Sequence, residues 1–415
     1  MTEQEYLACL SVGVIALMVS LVLVPLAKAV AEKLGVLDYP GERKIHRTPK
    51  PLLGGCAVYA SLLVVVGGSL YFLPEVRENP VMVNFFGPVL AKFETVSMVY
   101  PVLLAVFAGS MVIVVVGILD DVLGDRFPIW AKLAGQALAA LIVVLSGVEI
   151  SLFGFSLAVA PVITFVWIVG ITNSFNLLDN MDGLTTGVAI VCALLLLLIA
   201  GSLQEVYISL LLAAFIGALA GFLIYNFPPS QIFLGDAGSL LIGYFMGVVT
   251  VLASYVAPEG AIPNNLFSPF MPVIVLGLPL YDTASVILIR LREGRPIFRG
   301  DKSHLSHRLV ELGMTERQAV LAIYLLTFCL GASAIFLRQA TVGATVMALV
   351  QSIGIVVLTT ILMIVPRRTY YVQIRAFAED SVGARSSAEA VPSRPKVESD
   401  AQEAPHFPSN APGTP

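Results

Sequence analysis

Short polar clusters interrupt an otherwise apolar chain, and their residue types are those that handle phosphate and a hard cation. The densest is Asn173, Asn176, Asp179 and Asp182, two amides and two carboxylates at three-residue spacing, closed by Gly183. Apolar sequence flanks it on both sides, so the cluster is costly beside lipid and should face water or substrate. A plain turn between helices needs one or two polar residues, not four at a fixed period. Asp120 and Asp121 end another apolar run, with Lys132 and Gln136 following. A helix C-terminus favours cations. A metal ion, Lys132 or a retained proton would have to offset that carboxylate pair. Asp236 stands between Gly235 and Gly238 at the start of a further run. The glycines permit close backbone approach, and the carboxylate is accessible to a hard cation such as Mg²⁺.

Two basic loops complete the set. The first holds Arg43, Lys44, His46, Arg47 and Lys50, framed by Pro40, Pro49 and Pro51. A stiff basic loop suits phosphate binding. The second holds Arg290, Arg292, Arg295, Arg299, Lys302, His304, His307 and Arg308. A short helix over 303–312 would put His304, His307 and Arg308 on one face, with Leu305, Leu309 and Leu312 as its apolar side. Thr315 to Gln318 then reads as a capping box opening the next helix. Two histidines without a third spaced ligand do not make a zinc site. Carboxylates that hold Mg²⁺ and cations that clamp phosphates are the parts of phosphoryl transfer, whose catalysis is mostly positioning and charge neutralisation.

The elements that must position these groups follow from composition. Of 415 residues, 57% are hydrophobic and 13% charged, with a mean hydropathy of +0.89. Soluble domains carry roughly 25% charged residues, so this is an integral membrane protein. The expected fold is all-α and polytopic, since lipid leaves only helices or closed barrels and these runs lack the alternation of barrel strands. About eleven spans are expected, near 6–30, 53–73, 97–119, 129–146, 156–172, 184–201, 205–225, 239–256, 270–291, 317–338 and 342–365. Each is close to the ~20 residues that cross a bilayer core. The first apolar segment follows an acidic start and lacks a cleavage site, so no cleavable signal peptide is expected. Cys9, Cys56, Cys192 and Cys329 lie in apolar segments without CxxC spacing and read as packing thiols.

With the first span ending in the cytoplasm, every Lys and Arg except Arg77, Lys92 and Arg338 falls on the cytoplasmic side. This bias predicts an outside N-terminus, a cytoplasmic C-terminus and cytoplasmic placement of all the polar clusters. No conspicuous carboxylate falls at a span midpoint; Asp282 comes closest. A transmembrane unit over 1–366 would be followed by a cytoplasmic tail over 367–415. From about Ala378 its Ser, Pro, Ala and Glu content predicts disorder. Val81 to Val89, in an outer loop, is apolar enough to lie along the interface.

Five ordered motifs resemble those of the polyprenyl-phosphate N-acetylhexosamine-1-phosphate transferases, over roughly residues 1–365. They are Arg43-Lys44-x-His46 with Gly54-Gly55; Asp120-Asp121 with Pro128-x-x-x-Lys132; Asn173-x-x-Asn176-x-x-Asp179-x-x-Asp182-Gly183-Leu184; Phe233-x-Gly235-Asp236-x-Gly238-Ser239; and His304-x-x-His307-Arg308-Leu309. The resemblance implies that a UDP-N-acetylhexosamine and polyprenyl (undecaprenyl) phosphate give a polyprenyl-diphospho-sugar and UMP. It implies Mg²⁺, with Mn²⁺ as the alternative, held by Asn176 and Asp236. Asp120 or Asp121 would be the base or would orient the lipid phosphate, with Asp120 favoured. Asp179 and Asp182 would lie near the nucleotide. His307 and Arg308 would contact the diphosphate, and Lys44, His46 and Lys132 would support it; Asn173 and His304 join the substrate-binding set. Partners would be the UDP-sugar, the lipid phosphate and membrane lipid, with no nucleic acid. A homodimer stays open beside the monomer, and a bacterial cytoplasmic membrane is the expected location.

Two positions depart from the family's pattern. Gly124 stands where many relatives carry a third Asp, with Asp125 one later, and Asn180 replaces a frequent Gly. Asn tolerates a left-handed backbone better than most residues. The peptidoglycan translocases of the superfamily carry adjacent histidines in the last loop. Here His304 and His307 are separated, which resembles the branch that uses simple UDP-N-acetylhexosamines, UDP-GlcNAc above all. A secondary transporter would place its polar groups near the midplane on broken helices of related halves; these lie at span ends.

Overall fold

The structure, a computed structural model, describes residues 1–40, 48–92, 96–150, 159–255, 270–296, 303–339 and 342–364. Lys44 and His46 lie outside the described residues, as does the expected tail over 367–415. The protein is an all-α polytopic bundle. Its N-terminal half runs through α1 (Glu3–Leu34), α2 (Gly54–Tyr71), α3 (Leu73–Glu78), α4 (Pro80–Lys92), α5 (Val96–Leu123), α6 (Ile129–Leu145), α7 (Ala160–Leu178) and α8 (Leu184–Ser202). The rest is α9 (Val206–Asn226), α10 (Gly235–Tyr255), α11 (Met271–Val275), α12 (Gly277–Arg292), α13 (Leu305–Glu311), α14 (Glu316–Gln339) and α15 (Val342–Ile364). Among the described residues nine helices are long and apolar enough to cross a membrane.

Two expected spans take a different form. Helix α6 has 17 residues, about 25 Å at the usual helical rise, short of a ~30 Å core. The run over 270–291 is broken at Leu276, which ends α11 and opens α12. Pro279 explains the break: it has no N–H to give Val275 O, four residues back. That carbonyl instead accepts the Cys192 thiol at 3.2 Å. The apolar segment over 81–89 folds within α4 and packs on α1, with Val89 buried beside Ala8 and Val206. The capping box is present: Gln318 N donates to Thr315 Oγ1 at 3.3 Å and Thr315 N to Gln318 Oε1 at 2.9 Å.

Helix α10 is the axis of the bundle, packed by α7, α5, α2 and α8. Small residues let backbones meet there, as membrane helix packing favours. A Cβ on Gly55 of α2 would overlap Gly238 N and Cα, and one on Gly117 of α5 would overlap Ala237 Cα. Gly54 N and Gly55 N donate to Phe233 O and Leu234 O at 3.1 and 2.8 Å. The Gly54-Gly55 motif thus docks the start of α2 on the turn that carries Asp236. Backbone cannot yield as a side chain can, so Gly55→Ala should cost about 1–3 kcal/mol and shift Asp236. A lowered melting temperature in detergent together with lost turnover is the expected result. An unchanged melt would show that the α2–α10 contact is loose.

Candidate active site

Helices α5, α7, α9, α10, α13 and α14 meet around a cavity of about 700 Å³ lined by Asp120, Asp121, Asn176, Asp179, Asp182, Asp236 and His307, among others. Asp120 and Asp121 end α5, and each meets a different cation-like partner. Lys132, in the first turn of α6, places Nζ 2.7 Å from Asp120 Oδ2 and 2.7 Å from Asp236 Oδ1. Asp121 turns the other way: its Oδ1 accepts Asp236 N at 2.8 Å and its Oδ2 accepts Ala237 N at 3.2 Å. It therefore caps α10, whose N-terminal dipole end favours a carboxylate. Gly235, with φ +71°, lies against it, where a Cβ would crowd the Asp121 carboxylate. This pairing answers how two acidic residues can end an apolar helix.

Asp236 belongs to the first turn of α10, but its side chain does not cap that helix. Its Oδ1 accepts Asn176 Nδ2 at 2.5 Å as well as the Lys132 ammonium, and Asn176 also donates to Ser239 Oγ at 2.8 Å. The period of three in the 173–182 cluster therefore does two jobs. Asn176, in the last turn of α7, joins the carboxylates. Asn173, one turn earlier, pairs with Gln136 (Nδ2 to Oε1, 2.5 Å) and its own Val169 O at 2.9 Å. It ties α7 to α6 and is not part of the cavity lining.

Asp179 and Asp182 lie in the α7–α8 turn and line the cavity. Burial pushes the Asp179 carboxyl up to about 7, with the charges of Asp236 and Asp182 adding in the same direction. Asp182 Oδ2 accepts Ser230 N at 2.8 Å. Gly183, with φ +72°, reverses the chain into α8, and its carbonyl accepts the Tyr324 hydroxyl at 2.6 Å.

The expected short helix near 303–312 forms as α13, but its three polar residues have separate surroundings. His304 precedes it and is buried, Nδ1 lying 2.7 Å from Asp282 Oδ2. His307 lines the cavity. Arg308 is buried and pairs with Glu311 Oε2 at 3.1 Å. Leu305 and Leu309 are core residues, while Leu312 is exposed.

Several residues lie outside the five motifs, Lys50 having been named only as a member of the first basic loop. Lys50 sits in a two-residue strand, Lys50–Pro51, paired antiparallel with Leu37–Asp38. Its Nζ donates to Ser230 O at 2.5 Å on the cavity wall. Asn226, at the end of α9, accepts Gly183 N at 3.1 Å and donates to Ile232 O at 3.0 Å, stitching two cavity loops together. An amide inside an apolar run was a signal for Asn226; the basic loop was one for Lys50, while its two-residue strand left none. Glu316 adds another carboxylate to the lining.

Among the described residues the lining holds seven carboxylates, those of Asp38, Asp120, Asp121, Asp179, Asp182, Asp236 and Glu316. No three His, Cys, Asp or Glu side chains among the described residues converge as a ready metal set. The donors that do converge are the carboxylates of Asp120 and Asp236 with the Asn176 amide. The two hard carboxylates suit Mg²⁺, which keeps several waters and takes substrate phosphates as further ligands; Asn176 turns its Nδ2 to Asp236 and Ser239 here, and would offer its oxygen to a cation with the amide turned over.

A family model for glycosyl transferase family 4 matches residues 103–254. The chain is 32% identical over 353 residues to a probable undecaprenyl-phosphate N-acetylglucosaminyl 1-phosphate transferase of Bacillus subtilis, covering 82% of this chain and 88% of that one. The chain belongs to this family. It is also 30% identical over 389 residues to decaprenyl-phosphate N-acetylglucosaminephosphotransferase of Mycobacterium leprae, covering 87% of this chain and 91% of the relative. Identity to undecaprenyl-phosphate alpha-N-acetylglucosaminyl 1-phosphate transferase of Escherichia coli K12 is 27% over 314 residues, with 72% and 76% covered. The match to the family model spans α5 through α10, the helices that carry Asp120, Asn176 and Asp236.

Proposed function

We propose that the protein transfers N-acetylglucosamine-1-phosphate from UDP-GlcNAc to polyprenyl phosphate, releasing UMP, with Mg²⁺ as cofactor. The observation that carries this reading is the convergence of Asp120, Lys132, Asn176 and Asp236 on one acidic cavity at the helix ends. Relatives named for this transfer add support. A cavity this acidic repels a bare diphosphate, so a cation must enter with it. Asp236 and Asn176 would hold Mg²⁺, which supplies charge neutralisation on the phosphates. An oxygen of the lipid phosphate attacks the β-phosphorus of the nucleotide sugar, and the bond to the α-phosphate bridging oxygen breaks as UMP leaves. Asp120 would orient the lipid phosphate or take its proton, a reading supported by the engagement of Asp121 with the start of α10. Asp179, whose carboxyl burial pushes up, and Asp182 face the nucleotide end. Lys132 and His307 serve the phosphates, joined by Lys44 and His46; Arg308, buried on Glu311, would have to leave that pairing to reach them.

The cavity opens on the cytoplasmic side of a bacterial inner membrane in this reading, with the N-terminus outside, as the basic residues require. A peptidoglycan translocase is the second reading, and the separated His304 and His307 weigh against it. Purified protein with polyprenyl phosphate and Mg²⁺ should release UMP from UDP-GlcNAc. Release from UDP-MurNAc-pentapeptide alone would make it a translocase, and no release from any UDP-sugar would sink the transferase reading.

A further inference from the structure

Helix α13 is seven residues long, too short to hold its shape without outside bonds, yet it presents His307 to the cavity. Its anchor lies on α12. Asp282 is 2% exposed and uses both carboxylate oxygens on the start of α13. Its Oδ1 accepts Leu305 N at 2.9 Å, and its Oδ2 accepts the imidazole N–H of His304 at 2.7 Å. His304 occupies the N-cap position in extended conformation without capping α13 itself. Asp282, 22 residues earlier, supplies that cap. On the other side Ser306 Oγ donates to Asn180 Oδ1 at 2.5 Å, within the turn that carries Asp179 and Asp182. The His304 ring stands at 66° to the His307 ring, with centroids 6.5 Å apart.

We infer that Asp282 and His304 are a positioning pair: through one buried carboxylate they fix α13, and so set His307 at the diphosphate end of the cavity. His304 acts on His307 and does not touch substrate. The unbroken acceptor geometry requires the ring nitrogen nearer the backbone. This nitrogen sits two bonds beyond Cβ, as does the amide nitrogen of Asn; the amide nitrogen of Gln instead matches the far ring nitrogen that a substrate contact would use.

The activity part of the test rests on the transferase reading. His304→Asn should hold UMP release within about threefold of the parent, while His304→Gln and His304→Ala lose about 10- to 100-fold, the range for a lost hydrogen bond to a charged group. His304→Ala should add little to His307→Ala, since both remove one function. Rescue by Gln and not Asn, or full activity in all three variants, would overturn the pair. If Asn and Gln fail alike, the Asp282→Ala and His304→Ala losses decide: a double variant no worse than the poorer single supports the pair, and additive losses refute it. Amide hydrogen exchange over Leu305–Glu311, read on the full chain in detergent, needs no activity. Protection kept by His304→Asn and lost by His304→Gln supports the pair, and equal protection in both refutes it. Absent UMP release from the parent protein, with that exchange pattern intact, would instead count against the transferase reading.

Discussion

Asp236→Ala is expected to lower turnover by at least about 10³-fold, the scale of losing a group that neutralises charge in the transition state. Three contacts should keep the variant folded. Lys132 keeps its bond to Asp120 at 2.7 Å. Asn176 keeps Ser239 Oγ at 2.8 Å, and the first amides of α10 keep the Asp121 cap. No buried charge is stranded, which is the usual cause of large losses when one partner of an ion pair is removed. The check is UMP release beside a thermal melt in detergent, with Mg²⁺ titrated in both. Near-normal turnover would remove Asp236 from the metal site. An unfolded variant would show that the Lys132–Asp236 pair is architectural.

The neighbouring carboxylates should separate in kind. Asp120→Asn should lower turnover about 10²- to 10⁴-fold, the range for a positioned acid–base group, with the melt little changed because Lys132 retains Asp236. Asp121→Ala should lower the melt first, since it strips the acceptors from Asp236 N and Ala237 N; losing such a cap costs about 0.5–2 kcal/mol. Turnover falls with it as α10 loosens, and Asp121→Asn, which restores one acceptor, should recover part of both. Comparing the two melts decides the matter: a larger stability loss at Asp120 than at Asp121 would reverse the assignment.

Much of this architecture was legible in the chain. Long apolar runs dictate helices in lipid because no other open structure satisfies the backbone, and they recovered the all-α bundle. Polar residues at run ends marked Asp120, Asp121, Asn176, Asp179, Asp182 and Asp236, all of which line one cavity. Periodicity could not show that α6 is short or that Pro279 splits the run over 270–291, since hydropathy counts apolar residues and not carbonyl partners. Nor could it place Lys50, whose role depends on a pairing with residues 37–38 that leaves no pattern in so short a strand.

Residue types alone determined that this is a membrane-embedded, carboxylate-rich site with basic loops, because charge and amide groups are too costly in apolar helices to be incidental. Only the tertiary structure decided what each polar group does. Identical side chains one or three positions apart met different partners: Asp120 faces Lys132 while Asp121 caps α10, Asn176 joins the carboxylates while Asn173 braces α6, and His307 lines the cavity while His304 is buried on Asp282. Successive residues on a helix differ by about 100° in direction. Their roles therefore depend on which neighbouring helix each direction meets, and that is fixed by packing across the whole bundle.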